Sequence, residues 1–222
     1  RPGQHTQGVH HCEDRNDDAM TREVINGDTN EWIKGQVEFD AVITSLPDSE
    51  ETSMNMEQWE FWFSDMVKEI VERTRTYAIF YQTDRRYNGA IIDKAFLASL
   101  GAQRAGARTI FHKIALRRNV GSVDLFRPSY THLICYSKSQ TAGKASPDVI
   151  TTGPMIYNNA MGMNACTFAV QFIKDHSDAK MIVDPFCGQG SVLAVAESMG
   201  FDTIGVEILS EYADLSRQLF VK

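Results

Sequence analysis

Short apolar runs alternate with longer stretches in which apolar residues recur at helical spacing. The runs predict strands at residues 8–13, 39–45, 77–82, 109–116, 132–136, 181–184 and 203–207. The helical spacing predicts helices over 56–73, from Asp93 to about Leu100, over 158–174 and 190–199, and from Ser210 onward. This order predicts an α/β fold, with a mostly parallel twisted sheet of about seven strands and helices on both faces.

One domain is predicted over residues 1–222. The segment Ser139–Pro154 is rich in Ser, Thr, Gly and Pro. We therefore expect a first half over 8–138, a linker over 139–157 and a second half over 158–222.

The composition is that of a soluble globular protein, with 43% apolar and 23% charged residues. Its four cysteines lie far apart without a C-x-x-C pair, which predicts free thiols, no metal site and an intracellular location. The net charge of −7 does not indicate a nucleic-acid binder, yet one stretch is basic. Against Asp124 alone it holds Arg104, Arg108, Lys113, Arg117, Arg118 and Arg127. That stretch is either a solvated face or a surface that meets phosphates.

The most informative segment runs from Met181 to Ile208. A strand ends at Asp184, a turn with Gly188 and Gly190 follows, and a helix begins near Ser191. The glycines let a ligand approach the backbone, and the helix start offers free N–H groups. Glu207 stands nineteen positions beyond Gly188, where a carboxylate accepts hydrogen bonds from ribose hydroxyls. By spacing alone this is any nucleotide-type cofactor site, or a structural turn.

The residues around the first glycine narrow the choice. Leu193 stands where a dinucleotide site has its third glycine, and Asp184-Pro185-Phe186-Cys187 precedes Gly188. Asp-Pro-Phe-x-Gly-x-Gly-Ser resembles the cofactor motif of S-adenosylmethionine-dependent amino-methyltransferases that act on DNA and RNA bases. The resemblance implies S-adenosyl-L-methionine as the cofactor. It assigns cofactor contacts to Asp184, Pro185, Phe186, Cys187, Gly188, Gly190, Ser191 and Glu207.

The chain resembles the subgroup of those enzymes in which the catalytic half precedes the cofactor half, from about Gly8 to Leu215. This resemblance implies a Rossmann-like methyltransferase fold with permuted motif order. It places Asp14 at the acidic strand end that contacts the cofactor. It also implies that residues 161–174 close over the methionine end of the cofactor through Asn164, although the usual His-Pro-x-Gln-Lys-Pro is absent.

The catalytic tetrapeptide of these enzymes is Asp, Asn or Ser, then Pro-Pro, then an aromatic residue. The corresponding residues here are Ser45, Leu46, Pro47 and Asp48. Asp48 cannot stack on a base, and two interpretations stay open: a general base for a ring nitrogen or hydroxyl, or a cap on the following turn. The aromatic residues that could replace the missing ring are Tyr81, Tyr87, Phe126 and Tyr130.

The predicted acceptor is a base in structured RNA, such as tRNA or rRNA. Permuted DNA methyltransferases carry a target-recognition region where this chain has a linker too short to read several base pairs. Candidate substrate contacts are Arg117, Arg118, Arg127 and His132. The acidic net charge favours a protein partner. A protein partner or a homodimer is therefore expected, and no membrane is expected.

Three other functions remain open from the sequence. One is a DNA adenine or cytosine amino-methyltransferase that needs a partner for target recognition. Another is a small-molecule or protein methyltransferase on the same scaffold. The last, of a different class, is a catalytically silent binding or assembly subunit, which the altered tetrapeptide keeps open.

Overall fold

The computed structural model describes residues 20–124, 127–141 and 143–221. The strand expected at 8–13 and the cofactor contact expected from Asp14 lie outside these ranges. The main sheet consists of β1 (Arg22–Asn26), β2 (Ala41–Thr44), β3 (Ala78–Gln82), β6 (Arg108–Leu116), β7 (Tyr130–Ser137), β8 (Val149–Thr151), β9 (Met181–Asp184) and β10 (Asp202–Glu207). A separate hairpin pairs β4 (Arg85–Tyr87) with β5 (Ala90–Ile92).

The helices of the described ranges flank this sheet. They are α1 (Thr29–Trp32), α2 (Met56–Arg73), α3 (Lys94–Arg104), α4 (Met163–His176), α5 (Ser191–Ser198) and α6 (Ser210–Gln218). The bounds predicted for α2 are confirmed. Helix α3 begins after Asp93, whose carboxylate accepts a hydrogen bond from Phe96 N at 2.8 Å, as the sequence predicted.

The sheet order is β1-β10-β9-β2-β3-β7-β6-β8. The first five strands are mutually parallel, and β7 runs antiparallel between β3 and β6. The predicted α/β class with a mostly parallel sheet is therefore confirmed. The number of strands in the described sheet is eight rather than about seven.

Two of these strands were not predicted. Strand β8 lies in the interval expected to be a linker, where Val149, Ile150 and Thr151 pair with β6. Strand β1 has only two apolar residues, Val24 and Ile25, in its five positions, and it pairs with β10 along its whole length. Both are short edge strands, and for such strands the apolar run that marks a central strand is missing.

Helix α4 begins at Met163 rather than near residue 158. Asn159 has a φ of 66°, a left-handed conformation that a helix cannot contain. Gly162 then holds the N-cap position, where its own hypothetical Cβ would lie 2.2 Å from the Thr152 carbonyl oxygen. The close approach of the segment after β8 therefore sets where α4 starts.

Each face of the sheet buries its own apolar cluster. Helices α4 and α5 cover one face over residues such as Ile79 and Ile182, and α2 and α3 cover the other over Phe80 and Val183. Helices α2 and α3 pack so closely that a Cβ on Gly101 would lie 2.2 Å from the Ser64 carbonyl oxygen. No helix in the described ranges is long and apolar enough to span a bilayer.

Candidate active site

The carboxyl ends of β9, β10, β1, β2 and β3 meet at one edge of the sheet, where an α/β fold binds its ligands. Strand β9 delivers Asp184 to this edge, and the chain then turns through Gly188 and Gly190 into α5. Both glycines have positive φ, at 53° and 89°. A Cβ on Gly190 would lie 2.4 Å from Ser216 Oγ in α6, so this glycine lets the loop pack against α6.

Glu207, at the end of β10, is anchored to this loop. Its Oε2 accepts a hydrogen bond from Gly188 N at 3.0 Å, and its Oε1 accepts one from Leu209 N at 2.8 Å. The structure thus brings together the glycine and the carboxylate that the sequence separates by nineteen positions. The carboxylate is half-buried, and its orientation is fixed by the backbone.

Asp184 is buried beneath the loop. Thr44 Oγ1 donates a hydrogen bond of 2.7 Å to its Oδ1, and Phe186 N donates one of 3.1 Å. Burial raises the pKa of Asp184 to about 7, and the nearby charge of Glu207 acts in the same direction. Its proton is therefore exchangeable near neutral pH.

The other loop residues are mostly enclosed. Pro185 and Cys187 are buried, and the Cys187 thiol lies 3.6 Å from Ser216 Oγ. Burial raises the pKa of this thiol, so it stays protonated. Phe186 is half-buried and packs edge-on against Trp62. Ser191 Oγ, at the start of α5, is buried close to the Tyr157 hydroxyl.

Sequence reasoning missed one acidic side chain of this edge. Strand β1, beside β10, ends at Asn26, and Gly27 and Asp28 follow. Asp28 is exposed and caps α1 by accepting from Asn30 N at 2.8 Å. The signal that could have found it is the Gly-Asp turn directly after the Val24-Ile25 pair of the segment Arg22–Asn26.

The segment between β8 and α4 brings a tyrosine to the glycine loop. The Tyr157 hydroxyl lies 3.5 Å from the position of a Cβ on Gly188, and burial raises its pKa. Asn164, the predicted contact at the methionine end, lies in the first turn of α4. Its Nδ2 donates to Thr151 Oγ1 at 2.9 Å, and its backbone N donates to the Thr152 carbonyl, which ties α4 to β8.

The tetrapeptide follows directly on Thr44, the residue that binds Asp184. Ser45 is exposed, whereas Leu46 is buried. The Pro47 carbonyl accepts a hydrogen bond from Trp59 Nε1 at 3.1 Å. The tetrapeptide is thus anchored at its third residue by α2 and leaves its first side chain accessible.

Asp48 is the centre of what we call the Asp48 ion cluster, formed by Asp48, Lys94, Arg85, Arg127 and Glu50. Its Oδ1 contacts Lys94 Nζ, and its Oδ2 lies 2.9 Å from Arg85 Nη1 and 3.8 Å from Arg127 Nη2. Arg85 also contacts Glu50. Asp48 in addition holds the N-cap position of a 3₁₀ helix at residues 49–51. Both carboxylate oxygens are engaged by cations, which favours an anchoring role over proton abstraction.

The basic stretch divides between two edges of the sheet. Arg117 and Arg118 follow the end of β6 at the edge that carries the Asp48 ion cluster, which includes Arg127. Arg104 instead lies at the opposite end of α3 from Lys94 and binds Ser64 and Asp65 of α2, and Arg108 begins β6.

His132 is buried between the side chains of Asp84 and His112. Its Nε2 lies 2.9 Å from Asp84 Oδ2 and its Nδ1 lies 2.9 Å from His112 Nε2, while only 7% of the residue is exposed. Both ring nitrogens of His132 therefore already lie within hydrogen-bonding distance of another side chain. The predicted substrate contact by His132 would have to replace one of these partners. Among the aromatic candidates, Tyr81 is buried and Tyr87 is exposed on the β4–β5 hairpin.

Comparison with known proteins fits this arrangement. Residues 167–218, which include the glycine loop and Glu207, match a family model described as DNA methylase. No curated protein matches the chain in sequence.

Solved structures resemble the whole fold. PvuII DNA methyltransferase, which is cytosine-N4-specific, superposes with a TM-score of 0.71 at 14% identity, over 91% of this chain and 87% of its own. TTHA0409 of Thermus thermophilus, provisionally named a DNA modification methylase and complexed with S-adenosyl-L-methionine, gives 0.66 at 15% identity, over 89% and 92%. The M1.HpyAVI–SAM complex gives 0.63 at 13% identity, over 89% and 98%.

At these identities the structural likeness establishes the fold, which is that of the methyltransferases. The predicted methyltransferase fold is confirmed. Within that class, the cofactor half matches the DNA methylase model, in agreement with the enzyme class and the cofactor predicted from the sequence.

Proposed function

We propose that this chain is an S-adenosyl-L-methionine-dependent methyltransferase that modifies a nucleic-acid base. The observation that carries the proposal is the hydrogen bond from Gly188 N to the Glu207 carboxylate at the carboxyl edge of the sheet. The glycine loop supplies backbone N–H donors and the strand-end carboxylate supplies acceptors, which together are the groups that a nucleoside cofactor needs. The buried Ser191 Oγ at the start of α5, close to the Tyr157 hydroxyl, adds a polar group to that site.

Different residues would contact different parts of the cofactor. Glu207 and the glycine loop would hold the ribose, and Asp28 and Ile208, exposed beside them, would meet the base. Asp184 and the N-terminus of α5 would hold the methionine end. When bound, the cofactor would supply a sulfonium methyl group, which passes to the acceptor lone pair as the carbon–sulfur bond breaks and S-adenosylhomocysteine leaves.

The acceptor side belongs to the tetrapeptide. Ser45 is exposed one residue beyond Thr44, so its hydroxyl is available to hydrogen-bond an acceptor beside the cofactor site. The main task of the chain in such a displacement is orientation, and a rigid turn supplies it. Arg117, Arg118 and Arg127 would contact phosphates beside the acceptor.

Two observations bear on the class of nucleic acid, and they favour different acceptors. The family match and the named neighbours favour DNA. The interval between β7 and α4 holds only the three-residue strand β8 in its described part, which favours a base already outside a duplex. We therefore propose an unpaired base as the acceptor, in single-stranded DNA or structured RNA; the RNA acceptor rests on the short interval alone.

The test has two stages. Calorimetry with S-adenosylhomocysteine measures the cofactor site, and an absence of binding would favour a silent binding subunit. Tritiated cofactor is then incubated with total RNA, denatured genomic DNA and native genomic DNA, and the products are digested to nucleosides. Label in an RNA or denatured-DNA nucleoside supports the proposal, and label in native DNA alone would contradict the unpaired acceptor.

A further inference from the structure

Lys94 carries an ammonium group that is buried close to the tetrapeptide. This first residue of α3 is only 2% exposed, and its Nζ contacts Asp48 Oδ1. The same Nζ lies 5.6 Å from the centre of the Trp59 ring. A buried charge is retained only where it is paired, so Lys94 depends on Asp48 for its place in the core.

Trp59 connects this lysine to the tetrapeptide by a second route. Its indole is 1% exposed and donates from Nε1 to the Pro47 carbonyl at 3.1 Å. Arg85 Nη1 holds the other Asp48 oxygen at 2.9 Å. The last two residues of the tetrapeptide are therefore held by side chains of α2, α3 and the β4–β5 hairpin.

We propose that Lys94 is a positioning residue that, together with Arg85, fixes Asp48 and thereby orients Ser45 toward the acceptor. The catalytic part of this inference rests on the proposed function. An ion pair in the fourth position orders the turn from within the protein, so the turn stays rigid without a ring at that position. Asp48 then acts as an anchor, since both of its oxygens are already bound.

The first experiment measures this anchoring without any activity. Hydrogen exchange of the amides in residues 45–51 is followed by mass spectrometry for the parent protein and Lys94→Met. Methionine keeps the unbranched apolar stem against Trp59 and removes the charge. We expect exchange to rise about tenfold in this segment. The control Lys68→Met removes another ion-paired lysine, on α2, and leaves the segment unchanged.

The second experiment separates positioning from plain stabilisation. Lys94→Met should leave S-adenosylhomocysteine affinity unchanged and lower kcat about tenfold to a hundredfold, with little change in KM for the nucleic acid. Asp48→Asn leaves the Lys94 ammonium unpaired and lowers the urea midpoint. The double variant Lys94→Met/Asp48→Asn should recover the midpoint while its kcat stays low.

The outcomes distinguish the two hypotheses. If the double variant regains kcat along with its midpoint, Lys94 is merely structural and the positioning role is overturned. Unchanged exchange of residues 45–51 in Lys94→Met overturns the anchoring itself. If the parent protein transfers no label to RNA or DNA, the proposed function fails, and the exchange measurement still decides whether Lys94 anchors the turn.

Discussion

The buried carboxyl of Asp184 makes stability depend on pH in a specific direction. Its pKa is about 7 in the folded protein, against 3.8 for an exposed aspartate. Folding therefore favours the protonated form. The stabilisation from this group is complete below pH 4, declines as the pH rises, and is lost above about pH 7.

Asp184→Asn removes this dependence while keeping the acceptor oxygen for Thr44 and Phe186. One pKa unit is worth about 1.4 kcal/mol, so the full shift of about three units corresponds to about 4 kcal/mol. Between pH 5 and pH 8 the parent should lose about 2.5 kcal/mol relative to the variant. Any fixed cost of the new amide group cancels, because it does not change with pH.

Urea unfolding of both proteins at pH 5, 6, 7 and 8 measures this difference. Other titrating groups contribute equally to the two curves, so only the difference between the curves matters. Thr44→Val serves as a matched variant. Its lost hydroxyl removes a hydrogen bond that lowers the pKa of Asp184, so the loss of stability should move to higher pH. Parallel curves for the parent and Asp184→Asn would refute the reasoning.

Three further predictions concern the glycine loop and the basic edge. Gly190→Ala should lower the free energy of unfolding by about 2 kcal/mol or more, because φ is positive and the new Cβ overlaps Ser216; urea unfolding measures it. Glu207→Gln should weaken S-adenosylhomocysteine binding about tenfold to a hundredfold in calorimetry, since a charged acceptor of two backbone N–H groups is lost. Replacing both Arg117 and Arg118 by Gln should reduce the slope of log affinity against log salt by about 1.4 for single-stranded nucleic acid.

Each of these predictions has a contradicting result. An alanine at position 190 with parent stability would mean that α6 does not pack on the loop as described. Unchanged cofactor affinity in Glu207→Gln would remove this carboxylate from the ribose site. An unchanged salt slope would mean that Arg117 and Arg118 do not meet phosphates.

The sequence predicted the elements whose own residues form a recognisable local pattern. Helix α2 has a continuous apolar face and an Asn55 cap, and its bounds agree with the structure. The Gly188 to Glu207 spacing likewise predicted two groups that the fold brings within hydrogen-bonding distance. Such features are local, or they follow from the regular crossover between two parallel strands.

The features that sequence reasoning missed depend on pairing between distant segments. Strand β1 holds only two apolar residues and becomes a strand because it pairs with the edge of β10, and this hid Asp28. The environment of Asp48 was equally hidden, because Lys94 is forty-six positions away and Arg85 thirty-seven. A carboxylate alone permits both a base and an anchor, and only its neighbours distinguish them.

The hydrogen bond between Thr44 and Asp184 spans 140 positions and joins the two halves of the chain at the carboxyl ends of β2 and β9. A chimera that takes each half from a different relative must therefore match the residue that ends β2 to the residue that ends β9. Where that match fails, a buried carboxyl loses its donor, and both halves are destabilised between the proposed cofactor and acceptor sites. We therefore expect recombination between relatives to be tolerated least where it takes the residues at positions 44 and 184 from different parents.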